Sequence, residues 1–189
     1  QVFLMEAVWT RFFPLIKEIE AHLKDIGDVR VVSTNFSFRN EDMTSRLMDP
    51  NRAGGSLLDV GVYDLHFTKM ILKKEPIFIS GVASMDTDEH HLQVDEQAAW
   101  IAQYDKGELG LMCSAIRTDM IDTAYIYGTK GHMVIPQFWK PWQLQLTVGD
   151  KTEVIERPVP QKIAGIEDEG YQFEIAHVNQ CIRDGIKES

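Results

Sequence analysis

Cysteine is scarce in this chain: only Cys113 and Cys181 occur in 189 residues, one in a strand-like stretch and one in a helix-like stretch. Neither a disulfide framework nor a metal-ligand spacing can be drawn from two such positions, and a reducing, cytoplasmic setting is expected. Long apolar runs are also missing. With no stretch of about 18 apolar residues and no basic segment leading into a short apolar one, neither a membrane span nor a secretory leader is expected. Basic residues are outnumbered, 19 against 29 acidic, which leaves a formal net charge of -10. That field repels polyphosphates and anionic lipid, so neither nucleic acid nor a membrane is expected as a partner. The absence of a G-x-S-x-G turn removes one common hydrolase arrangement.

What is present suits one folded domain. Hydrophobic residues make up 44% and charged residues 25%, close to the globular average, and a chain of this length buries roughly two-thirds of its unfolded surface. "VFLMEAVW" reads as a buried strand reached directly from Gln1, so residues 1–8 are expected to be the last strand of an upstream domain. "TRFFPLIKEIEAHLKDIGD" reads as a helix capped by Thr10, with Pro14 in its first turn. "VRVVSTNFSF" alternates with period two and is expected to keep one face wet or covered by a partner. A polar connection then leads to a helix over about Ser56 to Lys74, stopped before Pro76. Seven strand-like segments with short Gly-containing connections follow, from "PIFISGVASM" to "TEVIER". A final helix over about Asp168 to Arg183 places Tyr171, Ile175, Val178 and Ile182 on one stripe, with Gly185 as its stop. The expected fold is α+β: a large, mainly antiparallel open sheet with helices on one face. The other face, to which Trp100, Ile101, Tyr104, Met112 and Ile116 supply apolar residues of both parities, is expected to form a homodimer.

The helix after "AGGS" carries the chemistry. At 100° per residue, Asp59, Tyr63, His66 and Met70 fall within about 60° of one another, while Leu57, Leu58, Val60, Leu65, Phe67, Ile71 and Leu72 cover much of the remaining circumference. An acid, a phenol and an imidazole on one stripe of a buried helix must meet partners or line a wet cavity. Other readings stay open at this point. Ser56 and Asp59 also fit a capping box, Tyr63 and His66 also fit hydrogen-bonded core positions, and Gly54-Gly55 also fit a plain turn or a phosphate loop. "DTDEHHLQVDE" at 86 to 96 gathers two histidines among carboxylates but reads as a solvated loop, and no metal site is expected. "QFWKPWQ" gathers Phe138, Trp139 and Trp142 as a lip over a cleft or as sheet-edge packing.

"EAVWTRFFP", "AGGSLLDVGVYDL", "GTKGHMVIP" and the final "YQFEIAHVNQCIRDGI" together resemble the Gfo/Idh/MocA oxidoreductase family, in wording nearest its dimeric dihydrodiol dehydrogenase branch. The resemblance covers nearly the whole chain. It implies that 1–189 is the C-terminal substrate-binding and dimerisation domain of an enzyme that uses NAD or NADP to transfer hydride to or from a sugar, polyol, diol or small carbonyl. It implies Tyr63 as the proton-transfer residue, Asp59 as its neighbour at the substrate, His66 in substrate binding, and Trp9 and Arg11 at the nicotinamide end of the cleft. The family's dinucleotide-binding domain is not in this sequence, because no G-x-G-x-x-G follows a strand. The family's E-K-P lysine is missing too, so the isolated chain is expected to be inactive. The alternative is a non-catalytic ligand-binding or regulatory module of the same fold, acting through protein contacts.

Overall fold

The computed structural model describes residues 2–85, 94–159, 162–163, 166–167 and 170–188. The "DTDEHHLQ" part of the possible metal segment lies outside the described residues. Strand β1, Val29–Ser37, alternates as its sequence does, with Val32, Thr34 and Phe36 buried and Val31, Ser33 and Asn35 turned the other way. Seven further strands share its sheet, β2 Phe78–Met85, β3 Asp95–Gln103, β4 Leu109–Ala115, β5 Thr123–Gly128, β6 Gly131–Pro136, β7 Gln143–Val148 and β8 Lys151–Glu156, and two short ones, Lys162–Ile163 and Ile166–Glu167, pair with each other. The eight lie in the order β2-β3-β4-β1-β5-β6-β7-β8. It is not a simple meander, because β1 inserts between β4 and β5. It runs parallel to β4 and antiparallel to β5, and every other neighbouring pair is antiparallel. The earliest strand thereby lies in the middle of the sheet, where its Val32, Thr34 and Phe36 side meets the helix that carries the site.

Helix α1, Pro14–His22, buries Leu15, Ile16 and Ile19 and has proline in its first turn as expected. Thr10 does not cap it. A 3-10 turn, Trp9–Phe12, intervenes, and Thr10 Oγ1 instead donates to the Trp139 carbonyl at 2.6 Å. Helix α2, Val62–Leu72, is preceded without a break by a π-helical turn, Leu57–Gly61, and closes on Lys73 in the left-handed region. Its burial is one-sided: Val60, Phe67, Ile71 and Leu72 are in the core, whereas Leu57, Leu58 and Leu65 are exposed. The expected all-round burial is therefore replaced by one flank in the core and one flank open.

At the N-terminal end the segment expected to belong to an upstream domain finds no strand partner among the described residues, and at the C-terminal end the expected facing of the helix fails. Residues 2–8 do not make a buried strand: Leu4 forms a single bridge to Glu188, its N–H donating to the Lys187 carbonyl at 3.0 Å, and Val2 and Leu4 are exposed. Helix α3, Tyr171–Arg183, has the expected bounds within a turn and Gly185 (φ 69°) just past its end. It is turned about its axis by roughly a quarter turn from the expected side, however. Ile175 is 58% and Ile182 57% exposed, while Cys181 is buried and Phe173 packs on Phe13 with ring centroids 5.7 Å apart. The helix rests on the Trp9–Phe12 turn rather than on the sheet, and that turn asks for the side bearing Tyr171, Glu174, His177 and Cys181. No helix among the described residues is long and apolar enough to cross a membrane.

The inner sheet face and α1 and α2 enclose the core, in which Phe67, Phe138, Ile126, Met133 and Leu144 are fully buried. Of the apolar residues expected on the open face, Trp100, Tyr104, Met112 and Ile116 are in the core and only Ile101 is outside. Val82, Ile101, Leu111 and Tyr127 give that face its apolar character instead.

Candidate active site

The π turn starts from an unexpected cap. Asp95, at the start of β3, accepts from Ser56 Oγ and from the Leu57 N–H, both at 2.7 Å, and Ser56 Oγ lies 3.0 Å from Ser114 Oγ. A carboxylate from a distant strand thus satisfies the helix N-terminus, which the capping-box alternative had assigned to Asp59. Asp59 is left free to turn outward. A π turn also winds more widely than an α turn, so the even 100° spacing used on the sequence does not hold from Leu57 to Gly61.

Asp59 pairs with Arg46, whose guanidinium nitrogen lies 2.5 Å from the Asp59 carboxylate. The side chain of Asp59 is 15% exposed and that of Arg46 53%, so the pair sits at a rim with the acid inside. Tyr63, one turn further along, is half-buried edge-on against Phe36, with centroids 5.2 Å apart. Burial raises its phenol above the ordinary value of 10.0; the Trp9 indole works the other way, while Tyr171, Asp59 and Glu174 add to the rise. Tyr63 is therefore a neutral phenol at pH 7, able to donate a proton as it stands. It can act as a base only with a cation beside it.

The Trp9–Phe12 turn runs along α2 and meets it twice. Trp9 faces Tyr63 and is only 4% exposed: Tyr171 stacks on it at 4.1 Å and 11°, Phe13 packs edge-on at 5.4 Å and Trp139 lies at 5.9 Å. Arg11 faces His66. Burial and then the nearby Arg11 hold His66 below 6.5, with Lys69 acting in the same sense and Glu6 against it. Arg11 is exposed and has no carboxylate partner among the described residues. Together with His66, Lys69, Met70, Lys73 and Glu20 it lines an open concavity of about 480 Å³.

Asp59 and Tyr63 are thus brought together, with Trp9 behind the phenol, whereas His66 and Arg11 form a neighbouring group one turn on. Three contributors were not legible in the sequence. Arg46 comes from the polar connection, 13 residues before Asp59, where no period marks it. Tyr171 and Glu174 come from α3: the apolar stripe included Tyr171 but not the aromatic turn that it meets, and it left Glu174 out. The aromatic lip is divided: Phe138 is fully buried, Trp139 stacks on Phe36 at 5.2 Å and 7°, and Trp142 is exposed. In the "VDE" remainder of the possible metal segment, Asp95 is the helix cap and Glu96 lies 3.5 Å from Arg117.

Residues 21–134 match the sequence profile of the GFO/IDH/MocA C-terminal domain. The chain belongs to the GFO/IDH/MocA family. Among curated relatives of this GFO/IDH/MocA chain, the trans-1,2-dihydrobenzene-1,2-diol dehydrogenase of Mus musculus is 35% identical over 191 residues and that of Homo sapiens 34% over 194. Each match takes in 100% of this chain and 56% of the relative, so the chain spans about half the length of these relatives. Among solved structures, aldose-aldose oxidoreductase from Caulobacter crescentus, complexed with glycerol, superposes with a TM-score of 0.78 at 24% identity over 97% of this chain and 54% of that one. A 3-ketoreductase from Actinomadura kijaniata in complex with TDP-benzene and NADP gives 0.82 at 15% identity, over 97% and 55%. At these identities the superpositions establish the fold.

Proposed function

We propose that this chain is the substrate-binding and proton-transfer domain of an NAD- or NADP-dependent oxidoreductase acting on a sugar, polyol, diol or small carbonyl. The observation that carries the reading is the pair of Asp59 and Tyr63 on adjoining turns of one helix, with the carboxylate held by Arg46 and the phenol backed by Trp9. Family membership supports the reaction class, and the dehydrogenase relatives support the diol end of the substrate range.

The residues present fit only one end of such a cofactor. The sequence has no glycine-rich cradle for its phosphates, whereas Arg11, exposed and without a carboxylate partner among the described residues, suits an anionic or carboxamide group. Trp9 takes part as the wall behind Tyr63. When bound, the nicotinamide supplies or removes the hydride. In the reducing direction the neutral Tyr63 phenol donates a proton to the carbonyl oxygen of the substrate as negative charge develops there. Asp59 accepts a hydrogen bond from a substrate hydroxyl and so orients it, because a fixed carboxylate in a partly buried rim is a strong acceptor. His66, held below its usual range and hence neutral at pH 7, binds a further hydroxyl. We assign the open sheet face to a homodimer.

The test compares wild type with Tyr63→Phe in the protein lengthened upstream to the span of its relatives, with NAD(H) and NADP(H), over a panel of sugars and diols. A loss of about 10²–10⁴ in kcat is expected when a general acid is removed. A variant that keeps most of its turnover removes the proton-transfer role from Tyr63, and a wild type that binds the cofactor but turns nothing over points instead to the non-catalytic module.

A further inference from the structure

The glycine pair before the π turn plays no part in this scheme, and Arg46 enters it only as a contact. One geometry accounts for both. Arg46 opens a 3-10 turn, Arg46–Met48, in which Ser45 Oγ accepts from the Leu47 N–H, and a second turn, Pro50–Arg52, follows with Asp49 as its cap. The chain then reverses through Ala53 in the left-handed region (φ 54°). It lies back on the first turn, the Gly54 N–H donating to the Asp49 carbonyl at 3.0 Å and the Gly55 N–H to the Leu47 carbonyl at 2.9 Å. A Cβ on Gly54 would stand 2.5 Å from the Leu47 carbonyl oxygen, 2.8 Å from that of Asp49 and 2.9 Å from that of Arg46. Only glycine lets these strands of backbone close up.

Gly55 is needed for a different reason. Its φ is +106°, and a Cβ there would stand 2.1 Å from Asp95 Oδ1, the capping carboxylate. The two glycines therefore have separate tasks: Gly55 admits the helix cap, and Gly54 presses the Arg46 turn onto the start of the helix. Arg46 is thereby delivered to within 2.5 Å of Asp59.

We propose that Arg46 is a positioning residue of the Asp59–Tyr63 site, delivered by Gly54: its guanidinium fixes the Asp59 carboxylate and offsets part of the negative charge that this carboxylate presents to the Tyr63 phenol. The proposal rests on reading Asp59 and Tyr63 as the site. The offset matters because the groups facing Tyr63 are one-sided. On its own helix stands Asp59, on α3 stand Tyr171 and Glu174, and on the Trp9–Phe12 turn and β1 stand the uncharged Trp9 and Phe36. No cation is among them.

The test is an ultraviolet titration of the 189-residue chain, with the Tyr63→Phe trace subtracted to isolate one phenol among five tyrosines. Arg46→Met is expected to move the Tyr63 midpoint upward, and Arg46→Lys to keep it near wild type. In an Asp59→Asn background Arg46→Met is expected to give a smaller upward shift, because only the guanidinium's own field is lost and no carboxylate is released towards the phenol. An unchanged midpoint in Arg46→Met, or the same upward shift with and without Asp59, overturns the proposal. A merely structural ion pair would lower the melting temperature and leave the titration alone. Gly54→Ala is expected to reproduce the Arg46→Met shift without adding to it, and an additive shift overturns the role given to the glycine. If Gly54→Ala does not fold, the Arg46–Asp59 cycle decides by itself. The readout involves no turnover, so it stands apart from the Tyr63→Phe activity test.

Discussion

Asp64 follows Tyr63 in the chain and points the opposite way, into the core. It is fully buried, and neither of its carboxyl oxygens has a hydrogen-bond partner among the described residues. The Thr34 and Thr68 hydroxyls are in the same condition. Thr34 faces Asp64 without a completed hydrogen bond. Burial drives the Asp64 carboxyl well above its ordinary 3.8, with Asp122 adding to the rise and Thr34 opposing it. The folded state therefore keeps a proton on Asp64 that the unfolded chain has released once the pH passes about 4. Between those two values folding stability falls as pH rises, by at most about 1.4 kcal/mol per pH unit from this group. Asp64→Asn, which has no proton to lose, is expected to flatten that part of the slope in thermal melts taken from pH 4 to 8. A slope unchanged from wild type would refute the assignment. The neighbouring placement of Asp59 and Tyr63 was legible from a separation of four residues. The burial of Asp64 was not, because a carboxylate beside a tyrosine in a helix reads as surface until the sheet beneath it is known.

At the scale of the element, the site helix owes its start to another part of the chain. Asp95 reaches from β3 to cap Ser56 and Leu57, which leaves Asp59 free for Arg46. Asp95→Ala is expected to cost about 1–2 kcal/mol, seen as a fall of roughly 2–8 °C in Tm; a melting temperature within a degree of wild type would remove the cap from the account. Periodicity found the helix and the end of it before Pro76, since apolar spacing and the stop signal are local. It did not find the π turn, which depends on how residues 57–61 pack against β3 and β4. Helix α3 teaches the same lesson in reverse. Its Tyr171, Ile175, Val178 and Ile182 stripe is a sound amphipathic signal, yet Ile175 and Ile182 stand in solvent, because its neighbour is an aromatic turn rather than the sheet.

For the molecule as a whole, the open face of the sheet exposes apolar side chains. Val82 is 77% exposed and Ile101 48%, with Leu111 and Tyr127 beside them, on a chain that otherwise carries ten net negative charges. A charged protein that leaves an apolar sheet face bare is suited to covering it with a second copy, for which a stable interface needs about 800 Å² per partner. Sedimentation equilibrium is expected to give a dimer for the wild type and a monomer for Ile101→Lys combined with Leu111→Glu. A wild-type monomer at tens of micromolar would end the assignment.

The amino-acid sequence alone determined the α+β class, the alternation of β1, the extent of the site helix and the neighbouring placement of an acid and a phenol, since each follows from contacts between residues a few positions apart. Only the tertiary structure decided which strand lies at the centre, which side α3 turns inward, that Arg46 holds Asp59 and that Asp95 caps the turn. Those contacts join residues from 13 to some 160 positions apart, and no local period encodes which distant partner a side chain will meet.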